Sequence, residues 1–333
     1  MRNRARIRPW VPAVACFVAL LTGPGLGRAQ AATSTKGIVV IETTLGYAGA
    51  RAAGTGMVLT STGEILTNNH VIRGATAVKV VVPGSRRSYP ARVVGYDVSD
   101  DVALLRLQGA SHLKTVSIAT PGLRIGQLVT ATGNAGGTGR LRTVSGQVTG
   151  LSRTITASDE QGDAEQLTGL IETSAFVVAG DSGGALEDSA GRVIGMTTAA
   201  SGDFEFRDVP VSDGYAIPIA KALSIARVIR TGKSTVRIHV GPTAFLGISL
   251  SAGAASGAGV PVAAVTTDGP AAKAGLEAGD VIVRLGGSAV PSSRALRTVI
   301  LGKHPGQNVR IVYLDPAGSS RTTTATLVSG PPQ

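Results

Sequence analysis

Short runs of β-branched and aliphatic residues, each closed by a glycine-rich turn, fill the chain from Gly37 to about Ile217. GIVVIET, TGMVLT, AVKVVV, YPARVVG, VALLRL, QLVTATG, GLIET and RVIGMTT follow one another. Glycine reaches positive φ at little steric cost, so each turn lets the chain fold straight back, and the pattern predicts an antiparallel barrel or sandwich. The first helix of useful length is predicted in IPIAKALSIARVIRTG. There Ile219, Ala222, Leu223, Ala226 and Ile229 recur at spacings of three and four, with Pro218 at the start and Gly232 at the end.

A polar link, TGKSTVRIHVGP, follows the helix, and a second region begins at TAFLGISL. The domain boundary is placed between Thr231 and Pro242. The 333-residue chain has room for two domains of ordinary size, each able to bury its own core. The Ala/Gly/Ser stretch at 251–259 is flanked by strand-like LGISL and VPVAAV, so it reads as a hairpin loop rather than a second linker.

The formal charge of +11 invites a nucleic-acid reading. Five of the arginines (Arg2, Arg4, Arg6, Arg8 and Arg28) lie in the first 31 residues, which hold no acids, and removing them leaves +6. The remainder has no dense basic run beyond Arg86-Arg87, and aromatic residues make up only 3%, too few for base-stacking platforms. Nucleic acid is therefore not an expected partner.

Residues 1–31 read as an export signal: basic MRNRARIR, apolar WVPAVACFVALL, a TGPGLG break and the small-residue site Ala29-Gln30-Ala31. The apolar core is about a dozen residues, against roughly 20 needed to span a bilayer, so cleavage is favoured over a retained anchor. Membrane association is expected only if the segment stays uncleaved. Cys16 lies inside this core and reads as a small hydrophobe, which leaves the mature chain without a cysteine. The expected location is secreted or cell envelope.

VVAGDSGGAL, at 177–186, sets Ser182 between an aspartate and two glycines. Gly-Asp-Ser-Gly is also common turn chemistry, so the motif alone leaves nucleophile and turn residue both open. A nucleophilic serine needs a base within hydrogen-bond reach and a carboxylate to orient it. Of the four histidines, His112 sits in a polar loop, and His239 and His304 fall in the link and second region. His70 ends the strand-like EILTNNHVI, and Asp101 opens the apolar run in DVSDDVALLRL.

GTGMVLTSTGEILTNNHVI, DDVALLRL and GDSGGAL, in that order, resemble the three catalytic blocks of chymotrypsin-fold serine proteases. Within these, the chain resembles the exported HtrA family, and PepA-type secreted proteases in particular. GNAGG, RVIGMTT and GYAIPIA extend the likeness across nearly all of 37–230. The resemblance implies a mostly β, chymotrypsin-like double antiparallel β-barrel with its active site in the cleft between barrels. His70 and Asp101 would come from the first barrel and Ser182 from the second, with the backbone N–H groups of Gly180 and Ser182 as the oxyanion hole.

The match departs from the family pattern in two places. Val178-Ala179-Gly180-Asp181-Ser182 stands where HtrA proteins usually have Asn-Pro-Gly-Asn-Ser, and loss of the proline predicts a less constrained loop. Asp181 resembles the trypsin-like motif, where this aspartate pairs with a new amino terminus; a bond to local backbone is the favoured alternative. In trypsin-like enzymes an aspartate six residues before the serine receives Lys or Arg; Phe176 stands at that position, so the resemblance argues against a basic-residue pocket. Phe176 and Thr197 are expected to line a pocket for small or medium aliphatic residues.

Residues 243–330 resemble a small α+β PDZ domain of the HtrA type, through FLGISL, PAAKAGLEAGDVIVRLGG and LRTVILGKHPGQNVRIVYL. The likeness implies that a peptide C-terminus adds a strand beside LGI. Leu246, Gly247 and Ile248 would form the carboxylate loop, and Leu296 and Ile300 would line a pocket or simply build core. The chain is thus laid out as signal peptide 1–31, trypsin-like domain 32–230, linker 231–242 and PDZ domain 243–330. It is expected to be an endopeptidase acting on unfolded or exposed polypeptide, without metal or cofactor. The alternative is a chaperone-like capture protein with a latent or inactive protease domain. A homo-oligomer is left open, since only residues 32–36 separate the cleavage site from the first strand.

Overall fold

The computed structural model describes residues 35–85, 87–119, 122–159, 164–198, 204–207, 214–250 and 259–333. The export segment with Cys16, the residue Arg86, and the 251–258 part of the expected hairpin loop lie outside the described residues.

Strands β1 (Ile38–Leu45), β2 (Ala50–Val58), β3 (Glu64–Thr67), β4 (Ala77–Val82), β5 (Arg87–Asp97) and β6 (Val102–Leu107) form one antiparallel sheet in the order β5-β4-β1-β2-β3-β6. It closes on itself because β5 also pairs with β6, from Ala91 opposite Leu107 to Asp97 opposite Val102. Val39, Ile41, Val58, Ile65, Val80, Tyr96 and Leu105 fill this first barrel. The other face of the same strands carries Ile38, Met57, Leu66, Val102 and Leu104, which pack with Val193, Met196 and Ile217 of the second barrel. Burial on both faces explains why these strands read as continuous apolar runs rather than alternating ones.

The second barrel uses β7 (Leu128–Gly133), β8 (Arg142–Asp159), β9 (Ala164–Thr173), β10 (Ala185–Asp188), β11 (Val193–Thr198) and β13 (Gly214–Pro218), with β12 (Phe204–Arg207) added along β8. Its order is β8-β7-β10-β11-β13-β9, closed by β8–β9 pairing. A single-turn helix, α1 (Asn69–Ile72), follows β3 in the first barrel.

Helix α2 (Ile219–Arg230) buries Ile219, Ala222, Ile225, Ala226 and Ile229 against both barrels. Leu223, expected on that face, is half-buried, and Ile225 takes its share. The segment expected to be a polar link contains a strand, β14 (Ile238–Val240), that pairs with β5. Gly95 permits the close approach, for a Cβ there would lie 2.5 Å from the His239 carbonyl oxygen.

The C-terminal domain comprises β15 (Thr243–Phe245), β16 (Ile248–Leu250), β17 (Val260–Val265), α3 (Pro270–Lys273), β18 (Val281–Leu285), β19 (Ser288–Ala289), α4 (Ser293–Leu301), β20 (Asn308–Leu314), β21 (Ser320–Thr326) and β22 (Val328–Gly330). Its main sheet runs β16-β17-β18-β20-β21, and β15 pairs separately with β22. Ser292 caps α4 by accepting the Ala295 N–H at 3.2 Å. The domain is bonded to the first barrel: Tyr96 and Thr243 hydroxyls lie 3.0 Å apart, Gly74 N–H donates to the Pro332 carbonyl at 2.9 Å, and Tyr47 stacks on Phe245 with ring centroids 4.9 Å apart.

Candidate active site

Strand β3 delivers Asn68 in extended backbone to the N-cap position of α1, which places His70 in the helix's first turn. Asp101 sits in the turn between β5 and β6 with φ of +53°, a left-handed conformation that costs a non-glycine residue roughly 1–2 kcal/mol. Four groups bond to it there. Asn68 Nδ2 donates to the Asp101 carbonyl at 2.9 Å, the His70 backbone N–H donates to Oδ1 at 3.0 Å, and His70 Nδ1 lies 2.8 Å from Oδ2. Thr198, from the second barrel, donates its hydroxyl to the same Oδ2 at 3.2 Å. With Nδ1–H bonded to the carboxylate, neutral His70 keeps its lone pair on Nε2, the nitrogen that can take a proton.

Ser182 is buried in the loop between β9 and β10, and two chains of contacts link its loop to the segments that carry His70 and Asp101. On one side, the Gly183 N–H donates to the Thr197 carbonyl at 2.9 Å, next to Thr198 on Asp101. On the other, the Thr55 N–H donates to the Ser182 carbonyl at 2.8 Å, and the Thr67 hydroxyl donates to the Thr55 carbonyl at 2.7 Å, three residues before His70. Gly183, at φ +82°, is required by proximity as much as by conformation: its Cβ would stand 2.1 Å from the Thr55 carbonyl oxygen.

The loop without the family proline is tied rather than loose. Gly136 N–H donates to the Ala179 carbonyl at 2.7 Å, Asp181 N–H to the Val178 carbonyl at 3.0 Å, and Gly184 N–H to the Asp181 carbonyl at 2.9 Å. The Asp181 carboxylate makes the local bond expected of it, accepting the Val178 N–H at 3.0 Å. Burial pushes the Asp181 carboxyl above its usual range, opposed by that N–H and by the Arg142 charge.

Thr197 and Phe176 are placed differently. Thr197 is buried under the loop with its hydroxyl donated to the Asp181 carbonyl at 2.7 Å, whereas the Phe176 side chain is 42% exposed.

Residues 54–196 match the trypsin-like peptidase domain family, and residues 244–320 match the PDZ domain family. The chain is 32% identical over 318 residues to serine protease PepD of Mycobacterium tuberculosis, covering 91% of this chain and 66% of that protein. Against the serine protease Do-like HtrA of Lactococcus lactis it is 31% identical over 292 residues, covering 80% and 71%. This chain belongs to the HtrA family of serine proteases. It is also 34% identical over 272 residues to the periplasmic pH-dependent serine endoprotease DegQ of Escherichia coli, covering 78% of this chain and 56% of that one. Among solved structures, the HtrA-type protease AlgW with a tripeptide aligns at a TM-score of 0.51 and 28% identity, over 90% of this chain and 96% of the other. The chain spans 56% to 66% of the length of the PepD and DegQ relatives.

In this HtrA-family chain the five expected groove residues, Leu246, Gly247, Ile248, Leu296 and Ile300, come together around one cavity of about 510 Å³. Leu246, Leu296 and Ile300 also belong to the domain's buried core, so they both line the cavity and build the core. Among the described residues, strand β16 pairs only with β17, which leaves its other edge for an added strand. His70, Tyr47 and Arg73 line the same cavity, so it opens between the two domains. Sequence reasoning missed Asn68, Thr67 and Thr198, whose only signal is a polar residue within or beside an apolar strand. Among the described residues, no helix is long and apolar enough to cross a membrane.

Proposed function

We propose that this chain is an exported serine endopeptidase that cleaves unfolded or exposed polypeptide through His70, Asp101 and Ser182, in the service of protein quality control. The observation that carries the reading is the double grip of the Asp101 carboxylate on the His70 backbone N–H and Nδ1, which sets both the position and the tautomer of the imidazole. His70 Nε2 takes the Ser182 hydroxyl proton as Oγ attacks the peptide carbonyl, and Asp101 stabilises the imidazolium. The carbonyl oxygen becomes an oxyanion held by the Gly180 and Ser182 N–H groups, each such donor being worth roughly 3 kcal/mol. His70 then protonates the departing amine, leaving an acyl group on Ser182. Water, deprotonated by His70, releases it and restores the serine.

With Phe176 at the position six before Ser182, the pocket favours small or medium aliphatic side chains over Lys or Arg. The C-terminal domain takes peptide C-termini along the edge of β16 away from β17, with Leu296 and Ile300 reading the apolar side chain. AlgW, the similar solved protein, carries a tripeptide, which is the class of ligand this groove suits. Export follows from the basic and apolar pattern of residues 1–31.

Hydrolysis of unfolded casein by the protein and by its Ser182→Ala variant tests the reading. Hydrolysis by the protein and its loss, by about 10⁴-fold or more, in the variant are expected. No hydrolysis by either, with an apolar C-terminal peptide still bound by both, would replace cleavage with capture.

A further inference from the structure

Thr55 is fully buried on β2 of the first barrel, yet every group its hydroxyl touches belongs to the second. Oγ1 donates to the Gly180 carbonyl at 2.7 Å and accepts the Asn134 N–H at 2.8 Å. Its backbone N–H is the group that holds the Ser182 carbonyl. One residue thus fixes the peptide after each of the two positions, Gly180 and Ser182, whose N–H groups form the proposed oxyanion hole.

The Asn134 bond extends this control. Asn134 leads into a turn in which the Gly137 N–H donates to the Asn134 carbonyl at 2.8 Å and the Gly136 N–H donates to the Ala179 carbonyl at 2.7 Å. In a planar trans peptide the C=O and N–H point in opposite directions. Pinning the Ala179 carbonyl toward Gly136 therefore turns the Gly180 N–H away from that turn. Gly180 itself cannot carry a side chain here, because its φ is +93° and a Cβ would lie 2.3 Å from the Asn134 carbonyl oxygen. These contacts supply the constraint that the missing proline would otherwise provide.

We propose that Thr55 is a positioning residue for the oxyanion hole, its hydroxyl clasping the nucleophile loop and the 134–137 turn of the second barrel to the first barrel. The inference rests on the endopeptidase reading above. Thr55 touches no substrate; it acts by holding the peptides around Gly180 and Ser182 in the orientation the developing oxyanion needs. Valine matches threonine in shape and removes the donor and acceptor together, whereas serine keeps them.

The test is steady-state hydrolysis of fluorescently labelled casein by the protein and its Thr55→Val, Thr55→Ala and Thr55→Ser variants, with a melting temperature for each. Removing one oxyanion donor costs about 10²–10³ in kcat, so disordering one without deleting it is expected to cost about 10–100-fold. That loss should appear in kcat with KM within about threefold of the parent, and Thr55→Ser should recover most of it. Thr55→Ala gives the same reading should the valine variant fail to fold. An active parent whose Val and Ala variants both keep kcat, or a Ser variant as impaired as Val at an unchanged melting temperature, overturns the positioning role alone. An inactive parent overturns the endopeptidase reading and this inference with it, and is seen without any variant.

Discussion

The seam between the barrels and the groove of the C-terminal domain are built from opposite materials. In the seam, Thr55, Thr67, Asp101, Thr197 and Thr198 are all buried, and each has its polar side-chain atoms bonded to a named partner. The groove is walled by Leu246, Ile248, Leu296 and Ile300 beside a strand edge that, among the described residues, has no partner on one side. Buried polar networks fix one geometry, because each unpaired member would cost its desolvation, while an apolar wall with a free backbone edge accepts many side chains. The first arrangement suits a reaction with one transition state, and the second suits a family of peptide ends.

The comparison makes the two regions separable by mutation. Asp101→Asn keeps the shape of the seam but removes the charge that holds the His70 tautomer, and should lower kcat by about 10⁴-fold. Binding of an apolar C-terminal peptide, followed by fluorescence anisotropy, should be unchanged. A loss of peptide binding in that variant would couple the two regions through the cavity that His70 and Leu296 share.

Leu296→Ala should do the reverse. Leu296 is both core and groove wall, so its truncation should cost about 2–5 kcal/mol of stability in urea unfolding and weaken the peptide, while leaving the seam's bonds in place. An unchanged unfolding midpoint with weakened peptide would make Leu296 a groove residue only.

A smaller effect tests the second barrel itself. Burial raises the Glu187 carboxyl from 4.5 to about 7, opposed by the Thr132 hydroxyl and reinforced by the Asp188 charge. The folded chain therefore keeps this proton at pH values where the unfolded chain has lost it. Stability should fall as pH rises from about 4.5 through 7 and level off above that, by on the order of 1–3 kcal/mol. Glu187→Gln should flatten the decline in melting temperature between pH 5 and pH 8. Parallel slopes for the two proteins would remove Glu187 as its source.

His70, Asp101 and Ser182 could be singled out from sequence because three ordered blocks resemble those of HtrA-type proteases, and the structure pairs the first two, His70 Nδ1 lying 2.8 Å from Asp101 Oδ2. Thr55 and Thr198 could not. Threonine is at home in any β-strand, so nothing local distinguishes a hydroxyl whose partner lies 125 residues away, as Gly180 does from Thr55. Strand β14 was hidden for a related reason: three residues of a polar segment acquire their role only from β5 alongside. Helix α2 was read correctly in place and phase, and packing against both barrels widens its buried face to include Ile225. The Phe245–Tyr47 stack and the cavity shared by His70 and Leu296 depend on how the two domains meet, which neither domain's own pattern encodes.

The most direct test of the account is covalent. A fluorophosphonate reacts with a serine only where a base has made its hydroxyl nucleophilic, so the protein, incubated with one, should gain a single adduct by intact mass, mapped by peptide analysis to Ser182 and absent from Asp101→Asn on the same timescale. An unlabelled protein, or equal labelling of parent and Asp101→Asn, would contradict a working His70–Asp101–Ser182 site.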